Sequence, residues 1–221
     1  MVYAFLIPPG NIDQWRFFVS GDEYERADRF RFKGHRTRFI LSHALLRHML
    51  QPYLNTRPED ISFSTGPFGK PEIASANPRN IRFSMSVSGH LMAVAVTRQT
   101  PVGVDVEKLR HLPDADAIAR DFFRSDETEM IKTHSETKST AFLRLWTRKE
   151  ALLKAAGKGV PFLRHAPSLV ETQIACFDDH DWSIIPLQLD AAYAATVAVG
   201  GVAGRVVSTP YDASRIQSPA V

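Results

Sequence analysis

Alternating apolar and polar residues predict two similar sets of elements, one in each half of the chain. In the first half, residues 3–7 have the pattern of a strand. Residues 22–50 carry apolar side chains at helical spacing, with Gly34 as an irregularity. Short β-type runs follow at 61–64, 81–87 and 92–97, separated by glycine, proline and asparagine. The first half is therefore predicted to contain a strand, a helical region and three further strands.

The second half begins with a strand-like run at 102–106 and continues with helical patterns at 114–123, 125–133 and 138–156. Strand-like runs follow at 169–176, 182–187, 193–199 and 203–208, and Gly157 and Gly159 are stop signals for the longest helix. Because strands and helices do not alternate strictly, the pattern predicts an α+β fold with helices on largely antiparallel sheets. Two such halves, residues 1–100 and 101–221, would leave a cleft between them for a ligand.

The composition is that of an ordinary globular protein, with 44% hydrophobic and 23% charged residues in 221. No apolar run approaches the roughly 20 residues that a membrane-spanning helix needs. The apolar N-terminal stretch breaks at residues 8–10, which indicates a strand and turn rather than a signal peptide. A single cysteine, Cys176, excludes an intrachain disulfide and suggests no zinc site, so a cytoplasmic location is expected.

Positive charge is concentrated in one short segment, although the net charge is only +3 and the pI near 9.1. Two interpretations remain open for this basic cluster: a solvated helix face, or a binding surface for phosphate. Its members are Arg26, Arg29, Arg31, Lys33, Arg36 and Arg38.

Two carboxylates lie on alternate positions of the strand-like run at 102–106 and its extension. In a strand, Asp105 and Glu107 share one face while Val104 and Val106 face the core. The simplest interpretation places both carboxylates on the solvated face of an exposed strand. The alternative is that a cation lies between them.

A third carboxylate, Glu150, is predicted to lie on the helix at 138–156, one turn before Lys154. This spacing is also typical of a surface Glu–Lys pair, which contributes only a few tenths of a kcal/mol. Considered together with Asp105 and Glu107, however, Glu150 completes an all-oxygen ligand set that selects hard cations, of which Mg²⁺ fits best. An adjacent lysine suits the charge that accumulates in phosphoryl-group chemistry.

Several motifs resemble those of the Sfp-type 4′-phosphopantetheinyl transferases. The two most specific are VGVDVE at 102–107 and WTRKEALLK at 146–154, and their separation also matches that family. FGKP at 68–71, IRFSMSVSG at 81–89 and HRT at 35–37 are similar to earlier segments of the same family. The resemblance covers residues 26–159 by motif and the remainder by element order.

The resemblance implies a pseudo-dimer of two α+β halves with coenzyme A in the cleft between them. Such enzymes transfer the 4′-phosphopantetheine arm of coenzyme A to a serine of an acyl or peptidyl carrier protein and release adenosine 3′,5′-bisphosphate. Asp105, Glu107 and Glu150 would hold Mg²⁺. Glu150, or a water on the metal, would take the serine proton, and Lys154 would stabilise the leaving phosphate. The implied coenzyme contacts are Arg36, Thr37, Lys70, Ser86, Asp105 and Lys154, and the role of Lys149 is left open.

The chain departs from the family pattern at two positions, since Val87 replaces a histidine associated with the 3′-phosphate and Ser84 replaces an asparagine. Valine can neither donate a hydrogen bond to a phosphate nor pair with its charge. We expect the 3′-phosphate to be held more weakly, or by the part of the basic cluster from Arg29 to Arg38, or by His90 instead.

The expected partners are coenzyme A and an apo carrier protein, with no membrane and no nucleic acid, and a monomer is expected. Carrier proteins of this kind are typically acidic, so a basic rim would speed encounter. Two other functions are compatible with parts of the sequence. A magnesium-dependent phosphodiesterase or nuclease would use the carboxylates and lysine, and a non-catalytic nucleic-acid-binding module would use the basic cluster.

Overall fold

Two four-stranded sheets, each with a long helix packed on it, organise the chain. The computed structural model describes residues 1–7, 12–74, 77–133, 137–203 and 206–210. Within these residues the helices are α1 (Gly21–Asp28), α2 (Lys33–Leu54), α3 (Ala115–Phe122), α4 (Ser125–Thr133) and α5 (Lys138–Ala155). The strands are β1 (Val2–Leu6), β2 (Phe63–Thr65), β3 (Pro71–Ile73), β4 (Ile81–Ser88), β5 (Leu91–Arg98), β6 (Val102–Lys108), β7 (Ile174–Phe177), β8 (His180–Pro186), β9 (Tyr193–Gly200) and β10 (Ser208–Pro210).

The first sheet has the strand order β10-β1-β5-β4 and is antiparallel except where β10 pairs with β1. Helix α2 packs on this sheet through apolar residues at three- and four-residue spacing, among them Ile40, Ala44 and Leu45. β2 and β3 form a separate antiparallel pair beside it. The N-terminal half, with β10 added from the C-terminal half, thus forms a mostly antiparallel sheet with a helix on it, as the pattern of the first half predicts.

The second sheet has the order β6-β9-β8-β7, and all of its strand pairs are antiparallel. Helix α5 packs on β6 and β9. The predicted stop signal is confirmed, because Gly157 has a φ of +67°. The N–H of Lys158 reaches back to the carbonyl of Leu153 at 2.8 Å, and the N–H of Gly157 donates to the carbonyl of Lys154. These two bonds close the end of α5 in a Schellman motif.

The two sheets meet through a core of small and β-branched side chains. In β5, Met92, Val94 and Val96 belong to the core under α2, whereas Leu91, Ala93 and Ala95 belong to the core shared with the second sheet. Period-two alternation thus buries both faces of this strand. The second sheet contributes Val102, Val104, Val106, Ala195 and Val197 to the shared core. β4 and β6 therefore lie side by side where the halves join.

Several predicted elements need correction. The helical region at 22–50 is two helices, because the chain between α1 and α2 is extended at Phe32. The strand predicted at 169–176 forms only as Ile174–Phe177, and β3 was not predicted. Part of the run at 203–208 and the tail beyond residue 210 lie outside the described residues. None of the helices in the described part combines the length and hydropathy that crossing a bilayer requires.

Candidate active site

Helix α5 lies directly on β6 because the strand has a glycine at the point of contact. A Cβ built on Gly103 would lie 2.1 Å from the carbonyl oxygen of Ala151 and 2.4 Å from the amide nitrogen of Ala155. A glycine inside a strand is typical of such close backbone approach. The approach brings Glu150 and Lys154, which flank the contact on α5, beside Asp105 on β6.

Asp105 is nearly buried, with 5% of its surface exposed. Its Oδ1 accepts hydrogen bonds from Lys154 Nζ at 2.7 Å and from Ser86 Oγ at 2.8 Å. Oδ2 has no hydrogen-bond partner among the described residues. Burial raises the pKa of Asp105, and the charge of Glu107 acts in the same direction, while Lys154 and Ser86 oppose the rise. The expectation of a solvated strand face is therefore wrong for this residue.

Glu107 lies at the edge of the same face, where its side chain is 25% exposed. Its Oε2 accepts a hydrogen bond from Ser88 Oγ at 2.9 Å and pairs with Arg110 Nη1 at 3.1 Å. Two predicted features are thus confirmed, since Asp105 and Glu107 share one face and Val104 and Val106 are in the core.

Glu150 has a buried Oε1 without a hydrogen-bond partner in the described part of the chain. Burial raises its pKa; the charges of Asp105 and Glu107 add to the rise, and Lys154 opposes it. All three carboxylates are thus close enough to interact electrostatically. Lys154 Nζ also contacts Ser86 Oγ and the carbonyl of Val104, each at 3.3 Å.

The described residues contain no group of three His, Cys, Asp or Glu side chains arranged to hold a metal ion. Two carboxylate oxygens, Asp105 Oδ2 and Glu150 Oε1, are nevertheless buried and unpaired, which is costly for a charged group. A hard cation that takes carboxylate ligands would satisfy both oxygens. The donor set therefore fits Mg²⁺.

Three serines on β4 connect the first half to this site. Ser84 Oγ accepts the N–H of Val104 at 3.1 Å, which gives this departure from the family pattern a structural role. Ser86 and Ser88 donate to the carboxylates of Asp105 and Glu107. Because alternate residues of a strand share a face, the three serines line up toward β6.

The ammonium group of Lys70 is hydrogen-bonded to backbone carbonyls of the protein itself. Its Nζ donates to the carbonyl of Lys154 at 2.7 Å and to that of Val102 at 2.9 Å. The pKa of Lys70 is lowered to about 8, mainly by burial; Glu72 opposes the change, and the charges of Arg82 and Lys154 add to it. The side chain joins the turn before β3 to the end of α5 and the start of β6.

A cavity of about 350 Å³ lies where the start of α2 meets the turn between β4 and β5. Its polar lining comes from His35, Thr37, Arg38 and His90. Arg36 does not line it, since its guanidinium pairs with Asp28 at 2.7 Å and donates to Tyr24 Oη. Of the predicted coenzyme contacts in this region, Thr37 alone faces the cavity.

Lys149 forms a buried ion pair with Glu127 at 2.6 Å, and neither side chain is exposed. Glu127 also accepts the N–H groups of Arg124 and Leu169. Sequence reasoning left Lys149 without a role and missed Gly103, Ser88 and Arg110. A glycine within a β-branched run was the available signal for Gly103; spacing alone gave none for the buried pair.

Comparison with known proteins gives matches over both halves. Residues 101–206 match the model of the 4′-phosphopantetheinyl transferase superfamily, and residues 11–99 match the model of a 4′-phosphopantetheinyl transferase N-terminal region. The chain is 34% identical to the 4′-phosphopantetheinyl transferase HetI of Nostoc sp., over 88% of this chain and 84% of that protein.

Two further relatives come from bacilli. The chain is 34% identical to the 4′-phosphopantetheinyl transferase psf-1 of Bacillus pumilus, over 68% of this chain and 63% of the relative. It is 30% identical to the 4′-phosphopantetheinyl transferase Sfp of Bacillus subtilis, over 67% and 64% of the two chains. The motifs that resemble this family thus lie in a chain that belongs to the 4′-phosphopantetheinyl transferase superfamily.

Proposed function

We propose that this protein transfers the 4′-phosphopantetheine arm of coenzyme A to a serine hydroxyl of an apo acyl or peptidyl carrier protein. The observation that carries the proposal is the pair of buried, unpaired oxygens, Asp105 Oδ2 and Glu150 Oε1, with Lys154 beside them. Family membership and this geometry support the same chemistry. Neither a nuclease nor a nucleic-acid-binding module accounts for the matches over both halves.

In this reaction Asp105, Glu107 and Glu150 would hold Mg²⁺, which would supply charge neutralisation at the pyrophosphate of the coenzyme. Glu150 takes the proton of the attacking serine hydroxyl, a general-base role. The serine oxygen bonds to the phosphorus of the phosphopantetheine arm, and the bond to the adenosine phosphate breaks. The leaving group is adenosine 3′,5′-bisphosphate.

Lys154 stabilises the negative charge that develops on the leaving phosphate. Its ammonium group contacts Asp105 Oδ1 and Ser86 Oγ, so it is held in place before a substrate arrives. Lys70 fixes the carbonyl of the same lysine. We propose that Lys70 supports the coenzyme site through this contact, in addition to the ligand contact that the resemblance implies.

The nucleotide end of the coenzyme contacts Ser86 and Thr37, with Arg36 nearby. The 3′-phosphate then lies in the cavity of about 350 Å³, where Arg38 and His90 replace the missing family histidine. Both side chains can carry positive charge, which Val87 cannot. We therefore assign the 3′-phosphate contact to Arg38 and His90 rather than to the other residues of the basic cluster.

The proposed architecture is a pseudo-dimer of residues 1–100 and 101–221, with the active site in the cleft between them. Serines of β4 in one half and carboxylates of β6 in the other support this arrangement, because their hydrogen bonds join the halves at the site. We propose a cytoplasmic monomer that binds no nucleic acid.

The test mixes the protein with coenzyme A, Mg²⁺ and a panel of apo carrier proteins, and then weighs the carriers by intact mass spectrometry. We expect at least one carrier to gain a phosphopantetheine group, with adenosine 3′,5′-bisphosphate released in equal amount. An unmodified panel, with an established transferase modifying the same carriers in parallel, would overturn the proposal.

A further inference from the structure

The connection between α1 and α2 exposes two aromatic side chains. We call residues 29–33 the rim segment; all five of them are exposed. Phe32 is 59% exposed and Phe30 38%. Neighbouring large apolar side chains left open to solvent are a common feature of surfaces that bind another molecule.

The rim segment is also strongly basic. Residues 29–38 contain five lysines and arginines and no carboxylate, whereas the whole chain has a net charge of only +3. Arg29, Arg31 and Lys33 have no carboxylate partner among the described residues, in contrast to Arg36, which pairs with Asp28. The segment therefore carries uncompensated positive charge around its two aromatic rings.

Contacts connect the start of α2, where this surface ends, to the candidate active site. The residue after the rim segment, Gly34, lines the cavity of about 350 Å³. From the same stretch of α2, Arg38 reaches the carbonyl of Gly89. The neighbouring Ser88 donates to the carboxylate of Glu107. The hydrogen bonds from Arg38 to Gly89 and from Ser88 to Glu107 thus link the first turns of α2 to the carboxylates.

We propose that the rim segment is the docking surface for the protein substrate, and that it binds an acidic patch with at least one exposed apolar side chain. The inference rests on the proposed function, which requires a macromolecule to bring its serine to the carboxylates. Arg29, Arg31 and Lys33 attract the acidic patch during approach. Phe30 and Phe32 supply the apolar contact that holds the partner after encounter.

The aromatic geometry favours a protein over a nucleic acid. Stacking of a base requires a free ring face. The Arg31 guanidinium lies 5.6 Å from the centre of the Phe32 ring, and Phe30 packs against Phe39 with ring centres 5.4 Å apart. His35 meets both rim aromatics edge to face. These contacts cover part of each ring, and the exposed remainder suits an apolar side chain.

The test compares two charge-reversal variants in steady-state transfer assays with a carrier that the wild-type enzyme modifies. One variant is Arg31→Glu with Lys33→Glu. Its control is Arg79→Glu with Arg98→Glu, which changes the net charge equally. Arg98 is paired with Ile81 at one end of the β4–β5 hairpin, and the turn that lines the cavity is at the other end. The control substitutions therefore lie far from the cavity. Both variants are first checked for wild-type circular dichroism and unfolding midpoint.

We expect the rim variant to raise KM for the carrier about tenfold or more, with KM for coenzyme A and kcat changed less than about threefold. Phe32→Ala should also raise KM for the carrier. Added salt should raise KM for the carrier with the wild type but should change it little with the rim variant. The control variant should resemble the wild type.

Three results would overturn the inference. In the first, the rim and control variants raise KM for the carrier equally, which would reflect net charge alone. In the second, the rim variant raises KM for coenzyme A instead. In the third, KM for the carrier is unchanged while the rim variant loses binding of a short DNA or RNA in a gel shift, which would assign the surface to nucleic acid. Failure of the wild type to modify any carrier would instead overturn the proposed function.

Discussion

Gly103 allows the backbone of α5 to approach β6 more closely than a side chain would permit. An alanine at this position would place its Cβ 2.1 Å from the carbonyl oxygen of Ala151 and 2.4 Å from the amide nitrogen of Ala155. Ordinary non-bonded contacts of carbon begin near about 3.5 Å. The substitution Gly103→Ala therefore forces the helix and strand apart by roughly 1 Å or more.

The displacement falls on the residues that the reaction uses. Glu150 and Lys154 each precede one of the contacted residues on α5, so both move relative to Asp105. A misplacement of about 1 Å lowers a rate by roughly 100-fold. Overpacking itself destabilises by about 1–3 kcal/mol. We therefore expect Gly103→Ala to lower kcat about 100-fold while the protein still folds.

The assay measures kcat and both KM values in carrier modification, together with urea unfolding monitored by circular dichroism. Gly21→Ala is the matched control, because a Cβ there would meet nothing within 4 Å; it should retain wild-type kcat and stability. If Gly103→Ala kept kcat within about threefold of the wild type, the close approach at Gly103 would not position the site, and the reasoning would be refuted.

Further predictions concern stability, pH and the coenzyme. Lys149→Met should destabilise by about 3–5 kcal/mol in urea unfolding, because it leaves the buried Glu127 carboxylate unpaired; Lys149→Met with Glu127→Gln should recover part of this, and an additive loss would contradict the ion-pair argument. Burial of the Glu23 carboxylate acts to raise its pKa, but His43 and Arg47 lower that pKa from 4.5 to about 2. Because the pKa is lower in the folded state than in the unfolded state, ionised Glu23 contributes about 3 kcal/mol to the free energy of unfolding above pH ~5. This contribution is lost as the pH falls toward ~2. Glu23→Gln should flatten this slope in unfolding curves, and an unchanged slope would assign it elsewhere. Arg38→Met with His90→Ala should lower the preference for coenzyme A over its 3′-dephospho form about tenfold, and a large preference that survived this change would remove the cavity from the coenzyme site.

Local pattern predicted the orientation of the carboxylates on β6. Alternation placed Asp105 and Glu107 together and their valine neighbours in the core, as the structure confirms. Alternation could not predict whether this shared face is exposed to solvent or buried. Its burial depends on α5, which covers Asp105 and begins more than 30 residues further along the chain.

Motif resemblance implied site residues but not what their side chains touch. The resemblance implies a coenzyme contact for Lys70, which stays a prediction, and the ammonium of this residue lies against two backbone carbonyls. A coenzyme contact is implied for Arg36 as well, and its guanidinium pairs with Asp28. Such contacts depend on the packing of α1, α2 and α5, which a spacing of residue types does not contain.

The helical region at 22–50 shows how a pattern can mislead at an element boundary. The run Arg29-Phe30-Arg31-Phe32 alternates with a period of two, which is typical of extended chain, whereas the residues on either side have helical spacing. The structure ends α1 at Asp28 and begins α2 at Lys33. The exposed rim segment is the result.

Glu150 and Asp105 are proposed to act with Mg²⁺ in transferring a phosphopantetheine group, and intact mass spectrometry of a carrier protein measures that transfer. One carrier is incubated with coenzyme A and either the wild type or Glu150→Gln, with Mg²⁺ and with a chelator. We expect a complete mass shift with the wild type and Mg²⁺, and no shift on the same timescale with the variant or the chelator, although the variant retains its fold. A shift of equal rate with Glu150→Gln, or in the absence of a divalent cation, would contradict the proposed site.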